Sequence, residues 1–435
     1  MTWYVILAGG LTLLLAAFLT GLPIFVAFLA INTAGILIVF GERGFGLIAN
    51  SIFDSGTLVA LSAIPLFILM GELLNRSGSV DLLFTSMDKL IGRVRGRQYV
   101  LTIFLSVIFG ALSGAAMAVA AMMSRSLYPT MIARGYNPRL SMGAILAGAS
   151  LAPIIPPSVL VIIIATLADI SVAKLLIAGI VPGLILAAVF LIYIIVLVSL
   201  DPKLAPEEPG PRLKVTLLEK LVAVGQMVPF SIIIFLVIGL ILLGIATPTE
   251  SAATGVVGAL IVSAINRRFS LKIAYEALGS AAFITSMIIV IVASSNMFGQ
   301  LLAITGSTGQ LVGFVNSLTA DPYILLFLMM LIVFVLCMFI DQIAIMLIIV
   351  PIVKPIVTTL GFDPIWFWTL ILINLTVGGI TPPFGYTMFA FKGGAPEVPL
   401  SDIFASVWPF VALFILVMGL IVMFPALATF LPAKL

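Results

Sequence analysis

Apolar residues run through this chain in long blocks separated by short polar segments, not in the alternating pattern of half-buried strands. A helix needs ~20 apolar residues to cross the hydrocarbon of a bilayer. Blocks of about that length predict spans near 58–75, 98–112, 138–155, 173–199, 224–244, 249–265, 279–299, 321–338, 364–380 and 405–430. The stretch Trp3–Phe40 reads as two short spans hinged near Gly21-Leu22-Pro23. Four further apolar stretches, 113–135, 153–168, 341–361 and 378–394, are crowded with Gly, Ser and Pro and are poor candidates for one clean helix. Tracts 80–97 and 266–277 are amphipathic and suit arms lying along the membrane interface. The most hydrophilic segment, Asp201–Lys214, carries four prolines and is expected to link two halves.

Composition agrees. Of 435 residues, 63% are hydrophobic and 9% charged, against about 45–50% and about 25% in soluble domains. The expected fold class is therefore an all-α polytopic membrane protein with no soluble module. A transmembrane β-barrel is disfavoured, because its strands alternate over ~10 residues. There is no His and one Cys, Cys337. Imidazole relays, His-ligated haem and most zinc sites are excluded, which counts against a membrane enzyme. The first segment lacks the basic residues of a signal peptide; the first positive charge is Arg43.

The two halves share a motif spacing. Pro129 and Pro355 are 226 residues apart, as are Gly135 and Gly361, Pro138 and Pro364, Pro156 and Pro382, and Pro157 and Pro383. Cytoplasmic loops hold the Lys/Arg excess. The cluster Lys89, Arg93, Arg95 and Arg97 follows an early span, whereas Arg267, Arg268 and Lys272 come one span earlier in the second half. The expected architecture is two repeats of opposite orientation, 58–199 and 279–430, joined by the linker 200–215. Inverted repeats whose broken helices meet at mid-membrane are a mark of secondary transporters. The basic clusters serve topology; no nucleic-acid partner is expected.

Pro-Pro removes two backbone donors and stops a helix. Pro156-Pro157-Ser158 and Thr381-Pro382-Pro383 are each expected to break a helix inside the bilayer. The freed carbonyls suit a hard cation such as Na⁺, Ser158 or Thr381 adds a hydroxyl oxygen, and the helix that restarts presents N–H groups to an anion. Phe109–Ala116, which includes Ser113 and Gly114, suits the tip of a re-entrant hairpin or a close helix contact. Asp341, 226 residues beyond Ala115, is the carboxylate of the equivalent second tip; it could ligate Na⁺ or cap the next helix. Glu72 and Arg76 suit an i,i+4 pair, Thr247 or Thr249 with Glu250 a helix start. Arg125 could meet a substrate carboxylate or snorkel to the interface. No phosphate-binding loop is visible, so an ion gradient is the natural energy source.

IPLFILMGELLNRSG, FGALSGAA, YPTMIARGYNP, PIIPPS, GIATPTESAA and GITPPFGYTMF together resemble signatures of the large membrane subunit of TRAP (tripartite ATP-independent periplasmic) transporters, in order over essentially the whole chain. The resemblance implies an elevator-type secondary transporter in a prokaryotic inner membrane. It implies Na⁺ as coupling ion and no organic cofactor. A separate small membrane subunit, a periplasmic substrate-binding protein and an organic acid substrate would be its partners. By position it implies Na⁺ sites framed by Ser113, Gly114, Pro156 and Ser158 on one side and Asp341, Gly379 and Thr381 on the other. Substrate would lie between, with Ser113, Ser158 and Thr381 as its candidate contacts and Arg125 added only by the reading of its charge above. Two departures stand out: Ala115, where many members have Ser, and Arg125, where a small or apolar residue is expected. A stand-alone cation-coupled carboxylate transporter of similar architecture is the alternative.

Overall fold

A computed structural model describes residues 3–91, 95–206, 216–318 and 320–435. They form helices joined by turns, with no strand among them. Among the described residues eight helices are long and apolar enough to cross a membrane, as in a multi-pass membrane protein.

The helices divide into two packed groups. An outer bundle contains Ile24–Phe40, Gly44–Thr57, Ala63–Arg76, Leu217–Ile234, Pro248–Ile265 and Leu271–Ile304. An inner module contains two similar series. The first runs Arg97–Ser113, Ala116–Ala133, Pro138–Ala149, Val159–Ala168, Val172–Ala178 and Ile180–Leu200. The second runs Pro322–Cys337, Gln342–Leu360, Pro364–Gly378, Tyr386–Gly394 and Leu400–Met423. Each series thus opens on two helices joined by a tight turn, continues with a helix broken at Pro-Pro, and ends on a long helix.

The module holds the densest core. Phe190 of the first series packs edge-on against Phe410 and Phe414 of the second, at 5.5 and 5.2 Å between ring centroids. Such pairs add to area burial. Trp366 Nε1 donates to Ile421 O at 2.9 Å, which satisfies a buried indole. The outer bundle exposes large apolar side chains such as Ile38, Phe53, Phe235 and Phe283, as a lipid-facing or partner-facing surface does.

The outer bundle is tied together by polar contacts. Asn32 Nδ2 donates to Ser294 O at 2.9 Å. Arg76 donates to Glu72 at 2.6 Å, Glu276 at 2.9 Å and Ser280 Oγ at 2.9 Å, linking Ala63–Arg76 to Leu271–Ile304. Arg268 Nη1 reaches Gly78 O at 2.7 Å. Helix ends follow the sequence signals: Thr247 and Glu250 form a reciprocal capping box, with Pro248 in the first turn.

Several expectations are corrected. The 113–135 and 341–361 stretches are not broken beyond their tips: Ala116–Ala133 and Gln342–Leu360 are continuous helices with Pro129, Pro351 and Pro355 inside them. The amphipathic tract at 266–277 is not a separate arm, because Leu271 begins the 34-residue helix Leu271–Ile304. The 173–199 span is stepped at Gly179. Gly44–Thr57 was not expected to be helical. The hinge near Gly21, the helix Ser79–Leu90 and the breaks within 153–168 and 378–394 are where the sequence puts them. Most of the linker 200–215, and Arg93, lie outside the described residues.

Candidate functional site

The two tight turns meet at one cavity of about 410 Å³. Ser113, Gly114 and Ala115 line it from the first hairpin, Asp341 and Gln342 from the second, and Tyr386 from the second broken helix. Glu72 and Asn75 of the outer bundle, with Ile284, Met287 and Ile288, form the facing wall.

Each tip is seated on a broken helix. Gly114 has φ +62°, a conformation that glycine adopts freely, and a Cβ there would lie 2.6 Å from Pro157 O. The first tip therefore lies backbone to backbone on the first Pro-Pro. At the second tip, Phe384 N donates to Met338 O at 3.0 Å, and Gln342 Nε2 donates to Leu375 O at 2.7 Å. Gly379 is similarly confined: a Cβ would stand 2.8 Å from Gln342 Nε2. Both Pro-Pro bonds are cis.

Local chemistry sets what these residues offer. Ser113 Oγ donates to Phe109 O at 2.8 Å and Thr381 Oγ1 to Val377 O at 2.7 Å, so both keep oxygen lone pairs. Ser158 is buried and accepts from Val161 N at 3.3 Å, capping the helix that restarts after the break. Asp341 accepts from Ile343 N at 2.9 Å, capping Gln342–Leu360. One carboxylate oxygen is thereby engaged and acceptor capacity remains. Both alternatives weighed for Asp341, cap and ligand, are chemically compatible.

Of the residues singled out in the sequence, Ser113, Gly114 and Asp341 share the cavity wall. Pro156, Ser158, Gly379 and Thr381 lie behind the tips, at the breaks, and not on the wall. Arg125 does not join them. It is exposed on the second arm of the first hairpin, nine residues or roughly 13 Å along the helix from Ala116. Arg125 does not line this cavity. Ala115 is exposed to the cavity. Glu72, expected from its spacing to pair with Arg76, both makes that pair and faces the cavity.

Tyr386, Gln342, Asn75 and Thr387 were missed. Thr387 Oγ1 is buried without a geometrically sound hydrogen-bond partner, although Thr387 N donates to Gly379 O at 3.1 Å. Its position just after a Pro-Pro break was the signal that could have found it. No group of three or more His, Cys, Asp or Glu side chains gathers among the described residues. The donor set at the tips is one carboxylate, hydroxyls and backbone carbonyls, which suits a hard alkali cation better than a transition metal.

Comparison with known proteins agrees with this architecture. The family model described as "Tripartite ATP-independent periplasmic transporter, DctM component" matches residues 11–427. The ectoine/5-hydroxyectoine TRAP transporter large permease protein UehC of Ruegeria pomeroyi is 29% identical over 416 residues, covering 95% of each chain. The C4-dicarboxylate TRAP transporter large permease protein DctM of Pseudomonas aeruginosa is 27% identical over 405 residues, covering 93% of each. Among solved structures, the Alcanivorax borkumensis YdaH transporter superposes with a TM-score of 0.62 at 15% identity, covering 90% of this chain and 91% of that one. That last likeness is one of fold.

Proposed function

Because the chain belongs to the family of DctM components, the large permease subunits of tripartite ATP-independent periplasmic transporters, we propose that it carries a small organic acid inward by coupling to Na⁺. The observation that supports this most directly is the meeting of both hairpin tips, each seated on its own Pro-Pro break, at one cavity. Ser113, Gly114 and the Pro156–Ser158 break would hold one Na⁺. Asp341, Gly379 and Thr381 would hold the other, with Thr387 as an added hydroxyl. A bound cation supplies positive charge that brings carbonyls and a carboxylate together. The tips would then close against the breaks and complete the wall on which substrate rests.

The two series are read as inverted repeats. Arg268 reaches Gly78, and Arg76 reaches Glu276, so the start of Leu271–Ile304 lies at the same end of the outer bundle as the helices leading into the first hairpin. That end carries Lys89, Arg95, Arg97, Arg267 and Lys272 and is assigned to the cytoplasm. Leu271–Ile304 then crosses once, so the second hairpin starts from the opposite face. In the mechanism proposed, the inner module slides along the outer bundle, a small membrane subunit braces that bundle, and a periplasmic binding protein delivers the solute.

The test is uptake into proteoliposomes holding this chain, its small subunit and its binding protein, under an inward Na⁺ gradient. Labelled ectoine, succinate and N-acetylneuraminate form the panel. Uptake of at least one is expected, and only with Na⁺ and binding protein present. Asp341→Asn retains an acceptor for the Ile343 cap but loses the charge, so it is expected to fold normally and lose at least about tenfold in uptake, equivalent to ~1.4 kcal/mol. Uptake without binding protein would favour the stand-alone carrier. Uptake indifferent to Na⁺ would overturn the coupling ion.

A further inference from the structure

A second cavity, of about 570 Å³, opens between the outer bundle and the inner module. Its walls are polar: Ser51 and Asp54 from Gly44–Thr57, Asn296 and Gln300 from Leu271–Ile304, and Lys354 and Thr358 from the second hairpin. The same long helix serves both cavities. Its residues 284–288 face the first and 295–303 the second. From 288 to 295 is roughly 10 Å along a helix axis. The cleft therefore lies beyond the first cavity, toward the end of Leu271–Ile304 away from the basic clusters.

Its charges are placed to be used. Asp54 is exposed and makes no ion pair among the described residues. Ser51 Oγ donates to Gln300 Oε1 at 3.0 Å, a contact that does not use the Gln300 amide N–H groups. Lys354 has only a loose contact with the exposed Asp169, at 3.9 Å. Exposed pairs of that kind contribute little and exchange readily. A dianion entering here would meet an uncompensated carboxylate. In the first cavity the charged wall residues are Glu72, already paired with Arg76, and Asp341, and no Lys or Arg lines it. Its Tyr386 and Phe109 offer aromatic surface of the sort that attracts organic cations.

We propose that the Asp54–Lys354 cleft is a second substrate station, and that it takes a compact zwitterion with its carboxylate toward Lys354 and a cationic nitrogen toward Asp54. The proposal rests on the uptake reading above and narrows it to a substrate class. The solute is received against a polar wall on the side where the binding protein would deliver it, and released against the mainly apolar wall formed by Ile284, Met287 and Ile288.

Two readouts test it. In the proteoliposome assay the zwitterionic member of the panel is expected to be accumulated in preference to succinate. Asp54→Asn and Lys354→Gln are each expected to raise its half-saturation concentration about tenfold, in line with loss of one charge-assisted contact, while Asp54→Glu largely restores it. Accumulation of succinate in preference to the zwitterion overturns the proposal and leaves the uptake reading intact. The second readout does not need uptake. The single native cysteine, Cys337, is buried, so Gln300→Cys gives one accessible thiol for an impermeant maleimide. Millimolar zwitterion is expected to protect it, and succinate is not. A thiol equally reactive with and without the zwitterion overturns the station even if uptake is observed.

Discussion

At the scale of single residues, Gly114 is constrained in the candidate site both by conformation and by space. Its φ of +62° and the Pro157 carbonyl facing it leave no room for a side chain. Non-glycine residues in that region cost on the order of 1–3 kcal/mol, and here the clash is with backbone that cannot rotate away. Gly114→Ala is expected to lower the midpoint of thermal unfolding in detergent and to weaken Na⁺-dependent uptake together. Ala115→Ser, at φ −128° and open to the cavity, is expected to leave the midpoint unchanged. An unaltered midpoint for Gly114→Ala would mean that the tip is not seated on the Pro-Pro carbonyl. Much of this residue chemistry could be read in advance. Pro-Pro, Asp341 and the Gly-Ser tip announce themselves because each forbids or demands a particular backbone. Tyr386 could not be read, because a tyrosine after a proline pair becomes a site residue only when the chain folds back on the opposite tip. Arg125 misled for the converse reason: its charge is conspicuous in an apolar stretch, yet the helix carries it away from the cavity.

At the scale of helices, proline was over-weighted as a breaker. Pro351 has no N–H for the carbonyl four residues earlier, that of Leu347. Ser295 Oγ of the outer bundle donates to that carbonyl at 2.8 Å. A neighbouring helix thus repairs the ladder, as it can within a membrane, and Gln342–Leu360 runs through unbroken. Pro-Pro at the breaks removes two donors in succession, and there the chain does turn. The distinction depends on a partner 52 residues away, which local sequence does not report. Ser295→Ala removes the partner and leaves the buried Leu347 carbonyl unpaired. The penalty for such a group is about 1–3 kcal/mol, so a lower unfolding midpoint is expected, with Ser295→Thr recovering most of it. Equal midpoints for Ser295→Ala and the parent would show that water or a local shift satisfies the carbonyl.

At the scale of the molecule, the same contact surface is the one that any sliding of the inner module must break. The alternation of hydrophobic spans predicts how many times the chain crosses; it says nothing about which helices move as a body, because that depends on packing between distant segments. Gly299 of the outer bundle and Pro351 of the module are in register here: a Cβ built at Gly299 lies 3.4 Å from Pro351 Cβ. Disulfides favour Cβ separations of ~3.5–4.5 Å, so Gly299→Cys with Pro351→Cys is expected to cross-link on mild oxidation, Cys337 being buried out of reach. If the module translates along Leu271–Ile304, the bond pins it in the arrangement described here. Uptake is then expected to fall to background when the bond forms and to return when dithiothreitol reduces it, while either single cysteine transports throughout. Full uptake by a quantitatively cross-linked protein would show that the two groups of helices stay fixed to each other at this point during the cycle. Movement would then be confined to the hairpin tips around the first cavity, and the polar cleft beside Gly299 would have to be reached without any displacement of the module.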